Sequence, residues 1–356
     1  MLNLTKIKFY ILYFFYLIIS VFFLVEIICR ILPTSTPLFL SPVNDKKEIL
    51  KYYPNQTTTY SLGSNFYQIV EKSTNNYGFF SSFNYQKNST PNLMIIGDSF
   101  VEAVQVNNED TMGEVIKKKY PNLKVYQMGV GGVAMSQYIK MLHYAEKEFS
   151  PEQYIFVLVA NDFDESLCSV RIKEGTWCFN DRHELVFVPF EGYSTKRRLM
   201  RNLAFARYIV FNLKVEWRPI AAKLGIKDPA MKADREFAGN TERFKSDEIY
   251  ERSKKVVESF FDELKKLGVA NKTSLIIAAD HNDIYVGSKT NSYFRDMRQV
   301  IMDKADIYNV NYIDLATIFQ NDYKQFKIKF DFPTDGHWNE HAHNLVANAF
   351  LNLRNK

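Results

Sequence analysis

Three short apolar runs that stop abruptly in polar or glycine-rich turns constrain this chain most. Residues 93–96 break at Gly97-Asp98-Ser99, residues 125–128 break at Gly129-Val130-Gly131-Gly132, and residues 154–159 lead into Asn161-Asp162. Short runs rich in β-branched and aromatic residues, bounded by turn formers, read as buried strands. Residues 274–279 and 312–315 read as two more. Residues 247–267 place Ile249, Val256, Val257, Phe260, Phe261 and Leu264 on one helical face that ends at Gly268, and residues 340–353 read as a closing helix. Apolar strands alternating with helical patterns predict an α/β fold with parallel strands.

A strand that ends in Gly97-Asp98-Ser99 is a setting in which an exposed catalytic serine is mounted. A serine hydroxyl is a poor nucleophile at neutral pH; it needs a base, and the base needs a third group to fix its tautomer. Asp335-Gly336-His337-Trp338, after Pro333 on what reads as a loop, offers both, with Gly336 allowing the tight turn. A tetrahedral intermediate also needs N–H groups aimed at its oxygen. A backbone amide of the glycine turn, the Asn161 side chain and the Ser99 N–H offer three.

In this order the blocks resemble those of the SGNH (GDSL) hydrolase superfamily, over roughly residues 90–350. The resemblance implies a three-layer α/β/α, flavodoxin-like parallel sheet. It implies Ser99, Asp335 and His337 as the catalytic triad and Ser99, Gly132 and Asn161 as the oxyanion hole. Asp98 is expected to hydrogen-bond within its turn and Asp162 to fix the loop carrying Asn161, while Trp338 is either a sugar platform or core. Two departures stand out: Ala160 precedes Asn161 where the family often has glycine, and one residue rather than two separates Asp335 from His337. The Asp-x-His-Trp pattern and Thr74-Asn75-Asn76-Tyr77-Gly78-Phe79 are similar to the membrane-associated and periplasmic branch that includes alginate O-acetyltransferases.

The amino terminus points to the same compartment. Residues 9–25 are uncharged and almost wholly apolar, about 25 Å of helix at 1.5 Å per residue, enough for a bilayer core if residues 26–31 extend it. Lys6 and Lys8 precede the run, so the positive-inside rule places the amino terminus in the cytoplasm and the rest outside, in the bacterial periplasm or at the cell surface. A cleaved signal peptide is the competing reading, although no Ala-x-Ala-like site follows. The expected organisation is an anchor over 1–31, an extended lead over 32–90, and a hydrolase-like domain over 91–356 with an insertion at about 180–245.

Three cysteines occur. Cys29 ends the anchor, and Cys168 and Cys178 are expected to pair in an oxidising exterior, the alternative being two free thiols in a loop. Within the insertion, Lys196-Arg197-Arg198-Leu199-Met200-Arg201 opens a basic stretch that reads either as a solvated surface helix or lid, or as a surface for anionic lipid or acidic glycan. His337, His341 and His343 with Asp335 also admit a metal reading, His337 and His341 having one-turn spacing, but no His-Glu-x-x-His pattern or cysteine ligand supports it. His143 and His281 are read either as neighbours of the site or as caps.

These readings converge on a serine-dependent ester hydrolase or O-acyltransferase working through an acyl-enzyme on O-acetyl groups of cell-envelope polysaccharide. A generic lipid or small-ester hydrolase is one alternative, and a non-catalytic glycan-binding or assembly partner is another. The chemistry calls for no cofactor and no metal. Expected partners are an acyl ester donor, a glycan, the membrane through the terminal helix, and a multi-spanning membrane acyltransferase. A net charge of +5 is too mild to demand nucleic acid, and no nucleic-acid motif occurs.

Overall fold

The computed structural model of the chain describes residues 4–46, 48–215, 246–285, 293–333 and 335–354. They fall into two compact units. One comprises Met1–Leu38, Thr57–Glu71 and Tyr193–Asp234, the other Phe39–Gln56, Lys72–Gly192 and Arg235–Lys356.

The first unit is built on helix Leu4–Ile31, 28 residues long, or about 40 Å at 1.5 Å per residue. Its most apolar stretch has a mean hydropathy of 2.6 with 6 % of it buried, so it is long and apolar enough to cross a membrane or to be a signal sequence. Toward its end, the Glu26 carboxylate accepts from Arg30 Nε at 2.9 Å and from the Ala204 and Phe205 N–H groups at 3.0 and 2.9 Å. Those two amides open helix Ala204–Arg207, whose first-turn donors have no partner within the helix itself. Strands β1 (Thr57–Leu62) and β2 (Gln68–Ser73) form a two-stranded sheet.

The basic stretch expected from residue 196 is not one continuous helix. It divides into Thr195–Asn202, Ala204–Arg207 and the wider turn Tyr208–Asn212. Helix Thr195–Asn202 starts where Ser194 Oγ accepts the Arg197 N–H and buries none of its residues. Arg207 departs from the solvated pattern: it is buried, and its Nε donates to the Ser35 carbonyl at 2.6 Å. The remainder of the expected insertion, residues 216–245, lies outside the described residues.

In the second unit the expected strands appear as β3 (Leu93–Gly97), β4 (Val125–Gly129) and β5 (Tyr154–Leu158), and after a hairpin of β6 (Thr176–Phe179) and β7 (Leu185–Val188) that the sequence did not announce, as β8 (Thr273–Ile277) and β9 (Asn311–Asp314). The sheet runs β4-β3-β5-β8-β9, with every neighbouring pair parallel. Ranked along the chain this is the order 2-1-3-4-5, the flavodoxin-like arrangement. Every residue of β3, β4 and β5 is buried, as parallel strands covered by helices require. Helices Met135–Glu148, Asp247–Lys266 and Tyr293–Tyr308 pack together in one flanking group, and Met112–Lys119 packs with Glu340–Arg354 in another. Phe156 on β5 meets Phe260 edge-on with ring centres 4.9 Å apart, locking helix Asp247–Lys266 to the sheet.

The segment read as a loop around Asp335 is instead a strand. β10 (Asp331–Phe332) pairs antiparallel with β11 (Asp335–Trp338). Tyr285 Oη accepts the Phe330 N–H at 2.8 Å just before this hairpin, and the Asn339 N–H closes it on the Phe330 carbonyl at 2.8 Å.

Candidate active site

In an open α/β sheet with this order, ligands bind outside the carboxyl ends of the strands, where the order reverses. β3 and β4 end level, Gly97 opposite Gly129, and Ile96 on β3 faces Phe156 on β5. Ser99, the Gly129–Gly132 turn and Asn161 therefore all emerge at one end of the sheet. Backbone contact is closest at Gly129, where a Cβ would lie 2.1 Å from the Glu102 nitrogen, so only glycine lets the segment after Ser99 cross the tip of β4.

Ser99 opens the short helix Ser99–Glu102, and Asp98 caps it, its Oδ1 accepting the Phe100 N–H at 2.9 Å. This is the turn role expected of Asp98. Its carboxyl is buried, and that burial pushes its pKa up to about 6. Ser99 itself is half-buried, so its hydroxyl remains reachable.

Strand β11 brings the distant pair to the serine. His337 Nε2 lies 2.7 Å from Ser99 Oγ, and His337 Nδ1 is hydrogen-bonded to Asp335 Oδ1. Asp335 Oδ1 also accepts the His337 backbone N–H at 3.1 Å. The single residue between Asp335 and His337 is thus no obstacle: side chains two apart on a strand share a face, and carboxylate and imidazole meet on it. Phe100 covers the imidazole with ring centres 5.0 Å apart.

Trp338 points the other way along β11 and is 3 % exposed. It packs against Phe100, Phe319 and the buried His343, so of its two expected roles it takes that of core. The histidines near the chain end serve separate roles. His337 is on a strand rather than a helix face, and His341 is engaged by Asp322 Oδ2 at 2.6 Å. His143 bonds Glu263 at 2.7 Å between two helices, whereas His281 pairs with Asp331 at 3.3 Å on the hairpin that carries His337.

Asp162 holds its loop as expected. Its Oδ2 accepts the Val159 N–H at 2.7 Å and its Oδ1 the Tyr138 hydroxyl at 2.7 Å; burial raises its pKa well above the usual carboxylate range. Asn161 donates Nδ2 to Glu165 Oε2 at 3.2 Å, and its buried Oδ1 has no partner among the described residues. Gly132 takes the left-handed conformation at φ +68°. Cys168 and Cys178 are disulfide-bonded, and Cys29 is free.

Several residues around these elements went unread in the sequence. Glu102, at the end of the serine helix, accepts from Tyr52 Oη at 2.5 Å, and its other oxygen would lie 2.4 Å from a Cβ on Gly131. Burial raises the Glu102 pKa, while burial lowers Lys72, whose Nζ donates to the Ala103 carbonyl at 2.7 Å, to about 7. Glu165 pairs with Arg171, and Lys173 Nζ donates to the Gly131 carbonyl at 2.5 Å. Glu165, four residues after Asn161, carried a spacing signal; Tyr52 and Lys72 arrive from the lead segment and carried none.

No protein-family model matches the chain, and no curated protein matches it. Among solved structures it is similar to an acetyl xylan esterase, AlAXEase, at 13 % identity and a TM-score of 0.41, covering 73 % of this chain and 98 % of that one. It is also similar to a lipolytic protein of the G-D-S-L family from Veillonella parvula, at 12 %, 0.40, 74 % and 98 %. A lipase/acylhydrolase from Enterococcus faecalis gives 13 %, 0.38, 74 % and 94 %. With likeness at this level, the functional reading rests on the site's own geometry.

Proposed function

We propose that the chain is a serine-dependent ester hydrolase or O-acyltransferase that works through an acyl-enzyme on O-acetyl groups of cell-envelope polysaccharide. The observation that carries this reading is the unbroken chain from Ser99 Oγ to His337 Nε2, at 2.7 Å, and from His337 Nδ1 to Asp335. Nucleophile, base and orienting carboxylate stand in hydrogen-bond reach, as nucleophilic catalysis requires.

In this mechanism His337 takes the Ser99 proton as Oγ attacks the ester carbonyl. The Ser99 and Gly132 N–H groups and the Asn161 amide hold the oxyanion, and Asp335 steadies the imidazolium. His337 then gives its proton to the leaving alcohol, leaving an ester on Ser99. Water or a sugar hydroxyl, deprotonated by His337, attacks that ester and releases free Ser99 with either a carboxylic acid or a new sugar ester. The helix Leu4–Ile31 would hold the catalytic unit at the outer face of a membrane, its amino terminus in the cytoplasm, near a multi-spanning acyltransferase that delivers acyl groups.

Hydrolysis and transfer share these steps, and the acceptor distinguishes them. The test supplies the full chain in neutral detergent with an acetyl ester, with and without oligosaccharide, and follows acetate and acetyl sugar. Acetyl sugar that forms in wild type but not in Ser99→Ala supports transfer; acetate alone restricts the reading to an esterase, and neither product contradicts it.

A further inference from the structure

Helix Thr195–Asn202 is turned inside out for a helix in water. Arg197 and Arg201, one turn apart on the same side, hold it to its own unit. Both guanidinium groups lie over the buried Tyr193 ring, 4.9 Å from its centre, and Arg201 Nη2 donates to the Leu38 carbonyl at 2.6 Å. Lys196, Leu199 and Met200 share the opposite side, where Leu199 is 63 % and Met200 51 % exposed. A solvated helix buries its apolar side and leaves its cations in water. Here two arginines face inward and the apolar pair faces outward, and Val210, Phe211 and Leu213 further on are exposed as well.

The place where this segment meets the terminal helix says what covers it. Arg30 Nη2 donates to the Asn202 carbonyl at 3.2 Å, Glu26 accepts the Ala204 and Phe205 N–H groups, and the Phe205 ring meets Phe22 edge-on with centres 6.4 Å apart. A bilayer's hydrocarbon core takes about 20 helical residues, or about 30 Å. Counted from Lys6, it would end at about residue 25, and every residue from Lys6 to Leu24 is exposed. Glu26 to Arg30 then rises about 6 Å more, close to the depth of one headgroup layer. The junction between the two short helices is bonded to that stretch and therefore lies at headgroup depth. Its charge suits the place: no acidic residue occurs from 193 to 215, while Lys196, Arg198 and Lys214 are exposed.

We propose that residues 195–213 form an interfacial platform on the membrane that helix Leu4–Ile31 crosses. Leu199 and Met200 enter the boundary between headgroups and acyl chains, and Lys196 and Arg198 meet anionic phospholipid headgroups. The platform rests on the membrane-anchor reading of that helix and adds a second attachment to it, one that binds at the high local concentration the anchor provides.

Full-length chain in nanodiscs of phosphatidylcholine, with or without phosphatidylglycerol, tests it. A polarity-sensitive fluorophore is attached at Leu199→Cys, at Phe15→Cys, or at Ile307→Cys, an exposed site in the other unit. Each is made with Cys29→Ser, so that the disulfide-bonded pair are the only other cysteines. Lipid spin-labelled near its headgroup should quench the fluorophore at 199 about twofold or more beyond that at 307 in anionic discs. The excess should fall by about half or more in neutral discs, or when Lys196→Gln/Arg198→Gln is added. No excess over position 307, or an excess indifferent to lipid charge and to the two substitutions, overturns the platform. So does a fluorophore that ignores phosphatidylglycerol but responds to dextran sulfate in neutral discs, which would assign the surface to an acidic glycan. The fluorophore at 15 separates this proposal from the anchor reading. Quenched by lipid spin-labelled at the bilayer centre, it supports the span, and failure at 199 then overturns the platform alone; out of reach of that lipid, it removes the span and the platform together.

Discussion

His337 Nε2 lies 2.7 Å from Ser99 Oγ although 238 residues of chain separate them. The contact exists because β3 and the β10–β11 hairpin deliver the two side chains to the same end of the sheet, so it reports the fold and the chemistry at once. Ser99→Ala should abolish acetyl-ester turnover while leaving thermal unfolding within about 1 kcal/mol of wild type, as half-buried substitutions away from the core do. Asp335→Asn keeps the shape of the site but permits the wrong imidazole tautomer, and should lower kcat by roughly 10³ to 10⁴. Rate assays beside calorimetry check both.

Asn161 offers a separate test of the oxyanion assignment. Asn161→Ala should lower kcat about 10²- to 10³-fold with little change in KM, because the interaction forms only in the transition state. Undiminished turnover in that variant would remove Asn161 from the mechanism.

Asp98 makes stability depend on pH in a predictable direction. Its folded pKa is raised from 3.8 to about 6, so the native state holds the proton more tightly than the unfolded chain. The favourable contribution is present below about pH 4 and is lost as pH rises through about 6. Asp98→Asn cannot ionise, so its stability relative to wild type should grow between pH 4 and pH 6.5, by up to about 3 kcal/mol. Urea unfolding across that range measures the difference, and a flat difference contradicts the buried, proton-holding carboxyl.

Cys168 and Cys178 close a loop with a sequence separation of 10. A loop of that size should stabilise the folded chain by about 2 to 3 kcal/mol in the loop-entropy description. Cys168→Ser/Cys178→Ser should lower the unfolding midpoint accordingly, as thermal unfolding of the two proteins side by side would show. An unchanged midpoint would contradict that contribution.

The central strands were legible in the sequence because each is a dense apolar run with a sharp polar stop; β3, β4 and β5 began where expected, at residues 93, 125 and 154. Ser99, Asp335 and His337 were legible as candidates for the same reason, standing just past such stops or flanking a glycine. The β10–β11 hairpin was not, since Asp335-Gly336-His337-Trp338 has turn composition and its pairing is fixed from outside, by Tyr285 and by the Phe330–Asn339 closure. Glu102, Tyr52 and Lys72 were hidden because they meet from positions far apart, and no local pattern encodes a contact across 50 residues. Arg171 and Lys173 carried no signal in the sequence, because their neighbours Gly131 and Gly132 lie far earlier in the chain, 42 residues separating Lys173 from Gly131.

The most direct test of the account is mass spectrometry of the full chain after brief exposure to an acetyl ester, with Ser99→Ala and His337→Ala alongside. The account predicts an acetyl group on Ser99 that accumulates in wild type, disappears on chase with water or sugar, and never forms in either variant. An unmodified Ser99 under turnover conditions, or an adduct that forms equally without His337, would contradict it.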